Sequence, residues 1–460
     1  MHLNKSRTRI LLIALAWIYP TMSMAQQLDP ALKELISKGL NKSHSINIHE
    51  LDAAQAKVDQ SLGKAVMLPK VTFGGSFTRL NDDITFDGDT QNLLIGTQKL
   101  LIKEAVGIPF NDPFPSNIPL TEVPNLQDKN ILKSSVDLDW VLFSGFEVTN
   151  AIKASKHKEA SLNYLGISEK DKIALKIIET YDKLALVHAS KRVLSTCINY
   201  LNEQEYYVNK AIENGLATPI SRKKIELAQQ QLASKELEFN HNKTLLLEVL
   251  HQLTGETREN LSLIDPQLQS FSSNSISNAD KRNEIKALEE AEKASLYKSK
   301  MEKSNFIPKL ALKGHYEFIE DDLSLLDPKW FVGIGIKWNV FDGFQSQLKS
   351  KKSIIESQKY REQIEEAEEM IALSIIKAQL NYESSLQNTI IVQKEIDLAS
   401  ATYSMVDKQY KNNLASINDV LDALTDLEKA NFKLQESFFD QRRAVTDLLH
   451  AKGILTSFYN

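Results

Sequence analysis

Leu138-Asp-Trp-Val-Leu-Phe-Ser-Gly-Phe146 returns later in the chain as Ile336-Lys-Trp-Asn-Val-Phe-Asp-Gly-Phe344. Trp140 matches Trp338, Phe143 matches Phe341, Gly145 matches Gly343 and Phe146 matches Phe344, each pair 198 positions apart. The offset persists through Ile173/Ile371, Ile177/Ile375 and Ile198/Ile396 to Gly215-Leu216, which meets Asn413-Leu414. So long a shared register marks an internal duplication. Before this stretch, Leu68-Pro-Lys-Val71 matches Ile307-Pro-Lys-Leu310 at an offset of 239, so the first repeat carries about 41 extra residues between Leu80 and Asn130.

The repeat makes the 460 residues one composite architecture of two similar halves. A net charge of −5 and a pI near 6.1 leave no basic stripe, so no nucleic-acid partner is expected. Lys5, Arg7 and Arg9, the apolar run Ile10 to Ile18 and the small-x-small site Ser23-Met-Ala25 read as a signal peptide over 1–25, cut after Ala25. That run is shorter than the ~20 residues a spanning helix needs, and no later stretch is long and apolar enough. Cys197 is the sole cysteine, in a helical pattern, and is expected to be a small buried residue with no disulfide.

The mature chain then divides into a first repeat over 26–255, a polar connector over 256–283 and a second repeat over 284–460. In the first, a helical pattern from Ala31 to about Met67 ends at Pro69 and the period changes from 3.6 to 2. Strands are expected at 70–80 and 131–143. In the second of these Leu132, Val136, Leu138, Trp140 and Leu142 alternate with Lys133, Ser135, Asp137 and Asp139. The insertion, with its clustered aspartates and prolines, reads as a long loop with a short helical piece near Leu100 to Val106. A helical hairpin over 147–253 follows, turning at Asn214-Gly-Leu-Ala-Thr-Pro219. Its first arm alone spans on the order of 100 Å at ~1.5 Å per residue. The second repeat has a helix from Glu284, strands at 309–319 and 330–341, and a hairpin over 345–450 turning at Asn412-Asn-Leu-Ala-Ser416. His188, on an apolar helix face, reads as a packed core residue.

Strands of about ten residues with one apolar face have the length and alternation of lipid-facing barrel strands. Four cannot close a barrel, and open edges cannot face lipid, so a spanning sheet built this way requires other copies of the chain. Trp140, Phe143, Trp338 and Phe341, at matching strand ends, fall where a membrane-interface aromatic belt would lie. A soluble four-stranded sheet packed on helices has the same alternation. The long helices favour a tube across a compartment. Nine scattered histidines without a His-Glu-x-x-His pair point to no metal, and Gly333-Ile-Gly335 lacks the third glycine of a dinucleotide loop. With no Walker motif either, neither enzyme activity nor a cofactor is expected, and any transport energy must come from a partner.

The repeat, the strand-end Trp-x-x-Phe-x-Gly-Phe, the Gly-Leu-Ala-Thr turn and Asn418-Asp-Val-Leu-Asp-Ala423 together resemble the TolC-type outer-membrane efflux channel family over nearly the whole mature chain. The resemblance implies a mixed α+β membrane protein, a homotrimer in which three four-stranded contributions make a twelve-stranded β-barrel and the antiparallel coiled-coil helices an α-barrel through the periplasm. It implies the outer membrane of a Gram-negative cell, lipid contact, a periplasmic adaptor (membrane fusion) protein and an inner-membrane RND or ABC-type pump. The insertion and 320–329 would be extracellular loops. The function implied is a passive exit duct for small molecules in tripartite efflux. A type I protein-secretion duct has the same architecture, and a soluble periplasmic coiled-coil scaffold is the alternative of another class.

By the same resemblance Asp419 and Asp422 line the periplasmic aperture, with Tyr410 as a gate residue. Residues i and i+3 share a helix face, so threefold symmetry would stack two carboxylate rings. Acidic residues in a first helical turn also simply complement the helix dipole. The family's gate arginine and its aspartate fall on Ala415 and Ser221, so that salt-bridged latch is missing here. Gly215, Leu216, Ala217, Asn413, Leu414 and Ala415 match the turn positions that contact the adaptor, and are equally ordinary hairpin chemistry.

Overall fold

The computed structural model describes residues 29–268, 281–319 and 328–455. The signal peptide expected at 1–25 lies outside them, as do most of the polar stretch of the connector and most of the 320–329 link. The chain divides into two compact units. One takes the described residues of Met1–Asp52, Ser161–Leu288 and Glu362–Asn460, the other Ala53–Ala160 and Glu289–Arg361.

Helix α1 (Pro30–Lys42) starts with proline in its first turn and Asp29 accepting the Ala31 N–H. The single helix expected to about Met67 is in fact two, because Ser43 is extended (ψ 117°) and α2 runs from His44 to Ala65. β1 (Lys70–Arg79) leads into the insertion, where the structure corrects the loop reading. Gly88–Val106 is a 19-residue helix, α3, capped by Asp87 on the Thr90 N–H and closed by Gly107. The breakers that suggested loop flank it. β2 (Asn130–Phe143) then precedes α4 (Glu147–Glu213), α5 (Pro219–Thr254) and the short α6 (Arg258–Ser262). The second repeat has α7 (Asn283–Lys303), β3 (Lys309–Ile319), β4 (Trp330–Lys337), α8 (Gln345–Lys411) and α9 (Ile417–Ala451). β4 ends four residues before the expected 341, so Trp338 and Phe341 lie just past it. No helix among the described residues is long and apolar enough to cross a membrane.

The sheet is antiparallel in the order β1-β2-β3-β4, leaving β1 and β4 as edges. Its registers obey the sequence offsets. Lys70 opposes Asp139 in β1/β2, and Lys309 opposes Lys337 in β3/β4, the same rung displaced by 239 and 198. One face is apolar and uncovered: Phe73 is 71 % exposed, Ile334 67 % and Ile336 71 %. Each strand-to-helix corner uses two consecutive left-handed residues, Gly145-Phe146 (φ 64° and 67°) and Gly343-Phe344 (φ 66° and 65°). At Gly145 the need for glycine is also steric, because a Cβ would meet Ser304 O, Ile307 O and Ile307 Cβ at 3.0–3.2 Å. At Gly343 nothing lies within 4 Å. Beside the sheet, α7 and α8 bury small residues: Ser295 and Ser299 on α7 and Ser346, Ser350, Ser353 and Ser357 on α8 are all buried, and the Ser299 and Ser350 hydroxyls are 2.8 Å apart.

The other unit is helical. Leu32, Leu35 and Ile36 of α1 pack with Ile177, Tyr181 and Leu184 of α4, Leu250 of α5 and Leu449 of α9. A second cluster joins Leu194 and Leu201 of α4, Ile225 of α5 and Val420 and Leu424 of α9. Cys197 is buried there, as its pattern implied, and burial pushes its thiol up to about 11. His188 is set in less apolar surroundings than expected, its Nδ1 lying 3.0 Å from Asp265 Oδ1.

α4 and α9 are also tied by a buried ion pair. Arg442 Nε and Nη2 both donate to Asp182 Oδ1, at 2.9 and 2.7 Å, and the Asp182 side chain is 4 % exposed. Arg442→Met strands that carboxylate and is expected to cost about 3–5 kcal/mol in thermal unfolding. Asp182→Leu with Arg442→Met removes both desolvation penalties and should recover most of the loss.

Candidate functional site

The residues singled out for the periplasmic end lie at two helical turns in the helical unit, and the turns are built alike. Gly215 (φ 70°) and Asn413 (φ 60°) close α4 and α8 in the left-handed conformation. Leu216 N–H donates to Ala211 O and Leu414 N–H to Gln409 O, both at 2.8 Å, giving the six-residue closure of a Schellman cap at repeat-equivalent positions. The cap leaves the following side chain in solvent: Leu216 is 65 % and Leu414 78 % exposed.

An open groove of about 580 Å³ brings the turns together. Leu216, Ala217 and Ser221 line it from the first hairpin and Tyr410, Asn413 and Ala415 from the second. Tyr410 is half-buried, its hydroxyl has no hydrogen-bond partner, and burial raises its pKa. Ser221 and Ala415 also line this groove, and neither side chain carries a charge.

Asp419 and Asp422 are both exposed on α9. Their situations differ. Asp419 belongs to a capping box: its Oδ2 accepts from the Ser416 N–H and hydroxyl, both at 2.7 Å, while Ser416 Oγ accepts the Asp419 N–H. These bonds, the Ser416 hydroxyl first, hold the Asp419 carboxyl below its usual range. Asp422 has no such role and is the freer of the two.

A polar network just above the turns was not singled out in the sequence. Gln204 of α4, fully buried, donates to Asp407 Oδ1 of α8 at 2.7 Å and lies 3.3 Å from the Tyr403 hydroxyl. Lys411 reaches Asp407 at 2.9 Å and Glu203 at 3.1 Å and lies over the Tyr207 ring. Burial opposes its charge, but the two carboxylates outweigh burial and raise its pKa. Lys224 of α5 donates to Asn418 of α9 at 2.7 Å. These contacts join the two hairpins where the latch residues are absent. The i,i+4 spacing of Asp407 and Lys411 is visible in sequence, but their partners on α4 are some 200 residues away.

In the sheet unit, the four aromatics form two equivalent constellations. Trp140 Nε1 donates to Met67 O at 3.0 Å and Trp338 Nε1 to Phe306 O at 3.1 Å. Phe143 meets Phe146 edge-on, and Phe341 meets Phe344 likewise, each at 5.2 Å. Each tryptophan therefore pins its strand end to the residue two before a strand-opening proline. Among the described residues no group of three or more His, Cys, Asp or Glu could hold a metal ion.

Ser416→Ala removes one side of the capping box and is expected to cost the first turn of α9 about 1 kcal/mol, seen as faster amide exchange over 417–421. The lowered Asp419 pKa fixes the pH sense: its contribution is complete above the unfolded carboxylate range and is lost only as pH falls through the folded value. Exchange in this turn should therefore stay flat at neutral pH and quicken only in strong acid.

Residues 276–453 match the model of the outer membrane efflux protein family. A search of curated protein sequences returns no match. Among solved structures, the outer membrane protein VceC of Vibrio cholerae is similar at 15 % identity and a TM-score of 0.73, over 92 % of this chain and 96 % of that one. The Campylobacter jejuni CmeC outer membrane channel is similar at 14 % and 0.71, over 93 % and 86 %. The open state of the Neisseria gonorrhoeae MtrE outer membrane channel is similar at 13 % and 0.66, over 93 % and 90 %. The match over residues 276–453 is thus a likeness to the outer membrane efflux protein family, and the fold over more than nine-tenths of the chain is that of these outer-membrane channels.

Proposed function

We propose that the chain is one third of a passive efflux duct of the outer membrane. Three copies close the sheet into a twelve-stranded barrel, and the long helices extend the duct into the periplasm. The observation that carries this reading is the sheet itself. It has four strands, an exposed apolar face and two edges with no partner among the described residues. In lipid every backbone N–H and C=O must be bonded, so such a sheet reaches a low-energy state there only by closing with further copies.

The duct serves small molecules delivered by an inner-membrane pump through a periplasmic adaptor, and it supplies no energy of its own. The exposed Leu216 and Leu414 at the hairpin tips, with the groove between them, suit an apolar contact with that adaptor. Asp419 and Asp422, projecting from one face of α9, form the acidic rings of the aperture. Asp419 serves two ends, since its carboxylate also caps the helix that carries it. Closure rests on the Lys411 and Gln204 contacts and on Lys224–Asn418 instead of an arginine–aspartate latch.

Planar-bilayer conductance of the detergent-extracted protein tests this. The natural chain should form cation-preferring channels, and Asp419→Ala/Asp422→Ala should lose that preference and any block by multivalent cations. Channels indifferent to the substitution would remove the aspartates from the aperture. A protein that stays soluble without detergent and never conducts would overturn the duct and favour a scaffold.

A further inference from the structure

Within the sheet and its corners the two repeats share much of their surroundings. β1/β2 and β3/β4 share one register, and Trp140 and Trp338 make the same bond. The β2/β3 junction, however, has no counterpart among the described residues. Its counterpart would join β4 to a β1, and both are free edges. Gly145 is boxed by Ser304 and Ile307, but Gly343 faces open space. The repeat-equivalents of Ser304 and Ile307 are Ala65 and Leu68, and Leu68 is 64 % exposed.

We infer that β4 of one copy pairs with β1 of the next in the register of β2 with β3, and that an ion pair between Asp342 and Lys70 of the next copy locks this junction. The inference rests on the oligomeric barrel proposed above and specifies its subunit contact. Within the chain Leu138 opposes Gly314, Asp139 opposes Lys313 and Trp140 opposes Leu312. Carrying β2 forward by 198 and β3 back by 239 places Ile336 opposite Gly75, Lys337 opposite Gly74 and Trp338 opposite Phe73 of the neighbour. The rungs then keep Ile336, Trp338 and Phe73, with Gly75, on one face and Lys337 with Gly74 on the other, an alternation that a slip of one residue would destroy.

Two local features favour this register. Gly314 is a glycine where a Cβ would meet Leu138 Cβ at 3.4 Å, and its repeat-equivalent Gly75 is also glycine although a Cβ there would find only Lys133 O, at 3.8 Å. Ile336 of the neighbouring copy supplies the missing side chain. The second feature is charge. Within the chain Lys309 bonds to Glu147. Their equivalents at the junction are Lys70 and Gln345, so Lys70 loses a carboxylate. A carboxylate appears instead three residues earlier, at Asp342, where the first repeat has Ser144. Asp342 Oδ2 takes the Ser346 N–H and lies near Asn305, but Oδ1 is shielded from solvent and accepts no hydrogen bond. A shielded carboxylate oxygen without a donor is costly, and a lysine from the next copy removes that cost.

Cysteine pairs in a Cys197→Ala background test the register. Oxidised Gly75→Cys/Ile336→Cys should give chain-to-chain disulfides up to a covalent trimer, and Gly74→Cys/Ile336→Cys, with thiols on opposite faces, should give none. With natural strands otherwise, Lys70→Asp should lower the temperature at which the trimer dissociates in detergent, and Lys70→Asp/Asp342→Lys should restore most of it. A conducting trimer that crosslinks only out of register, or a charge swap no better than the single change, overturns the inference and leaves the duct standing. A soluble monomer overturns both.

Discussion

Backbone hydrogen bonding at the sheet edges is the constraint on which the rest of this structure depends. A four-stranded antiparallel sheet leaves two rows of unpaired N–H and C=O groups. In water these can be solvated, but this sheet also carries Val71, Phe73, Val332, Ile334 and Ile336 uncovered on one face, a surface suited to lipid rather than water. Lipid in turn forbids the open edges. Closure through copies of the same chain, as proposed above, would meet the two demands together. Duplication would suit that closure, because the β2/β3 junction between the repeats could then be used again between chains.

The helical unit answers a different demand. A long helix with an almost continuous apolar seam is stable only when neighbours cover the seam, and here α4, α5 and α9 do so through Leu194, Ile225, Val420 and Leu424. At the far end the seam must stop without exposing carbonyls. Gly215 and Asn413 manage this with matching caps, and the price is an exposed leucine at each tip. An unavoidable apolar tip is also a ready contact for a partner, so the geometry that ends the helices and the surface proposed to dock the adaptor have one origin.

The repeats were legible because their markers are local. Trp140, Gly145 and Phe146 recur as Trp338, Gly343 and Phe344 since each strand-to-helix corner needs two left-handed residues and a pinned strand end, and few residue types meet those needs. The α3 helix was misread because Asp87 and the later prolines are loop formers by composition, whereas Asp87 acts as an N-cap and the prolines lie beyond Gly107. Ser43 broke the first helix without any glycine or proline to announce it. At the hairpin ends the turn chemistry could be read, but the contacts of Gln204 and Lys411 could not, since their partners are fixed only when α4 and α8 pack.

Asymmetry between the repeats is where function separates from architecture. Thr218-Pro219 starts α5 with no side-chain cap bond, while Ser416 and Asp419 start α9 with a full capping box. The second hairpin therefore begins in a more firmly held turn, with its acidic residues set in a fixed direction. In the proposed aperture, a carboxylate that also caps its helix could not be exchanged for asparagine without altering one role, since the amide keeps an acceptor for the cap and loses the charge. Asp422, which has no capping bond, carries charge alone. Under the proposed aperture, substituting the two singly would separate helix order from ion preference: asparagine at 422 would change only the field, whereas alanine at 419 would loosen the turn as well.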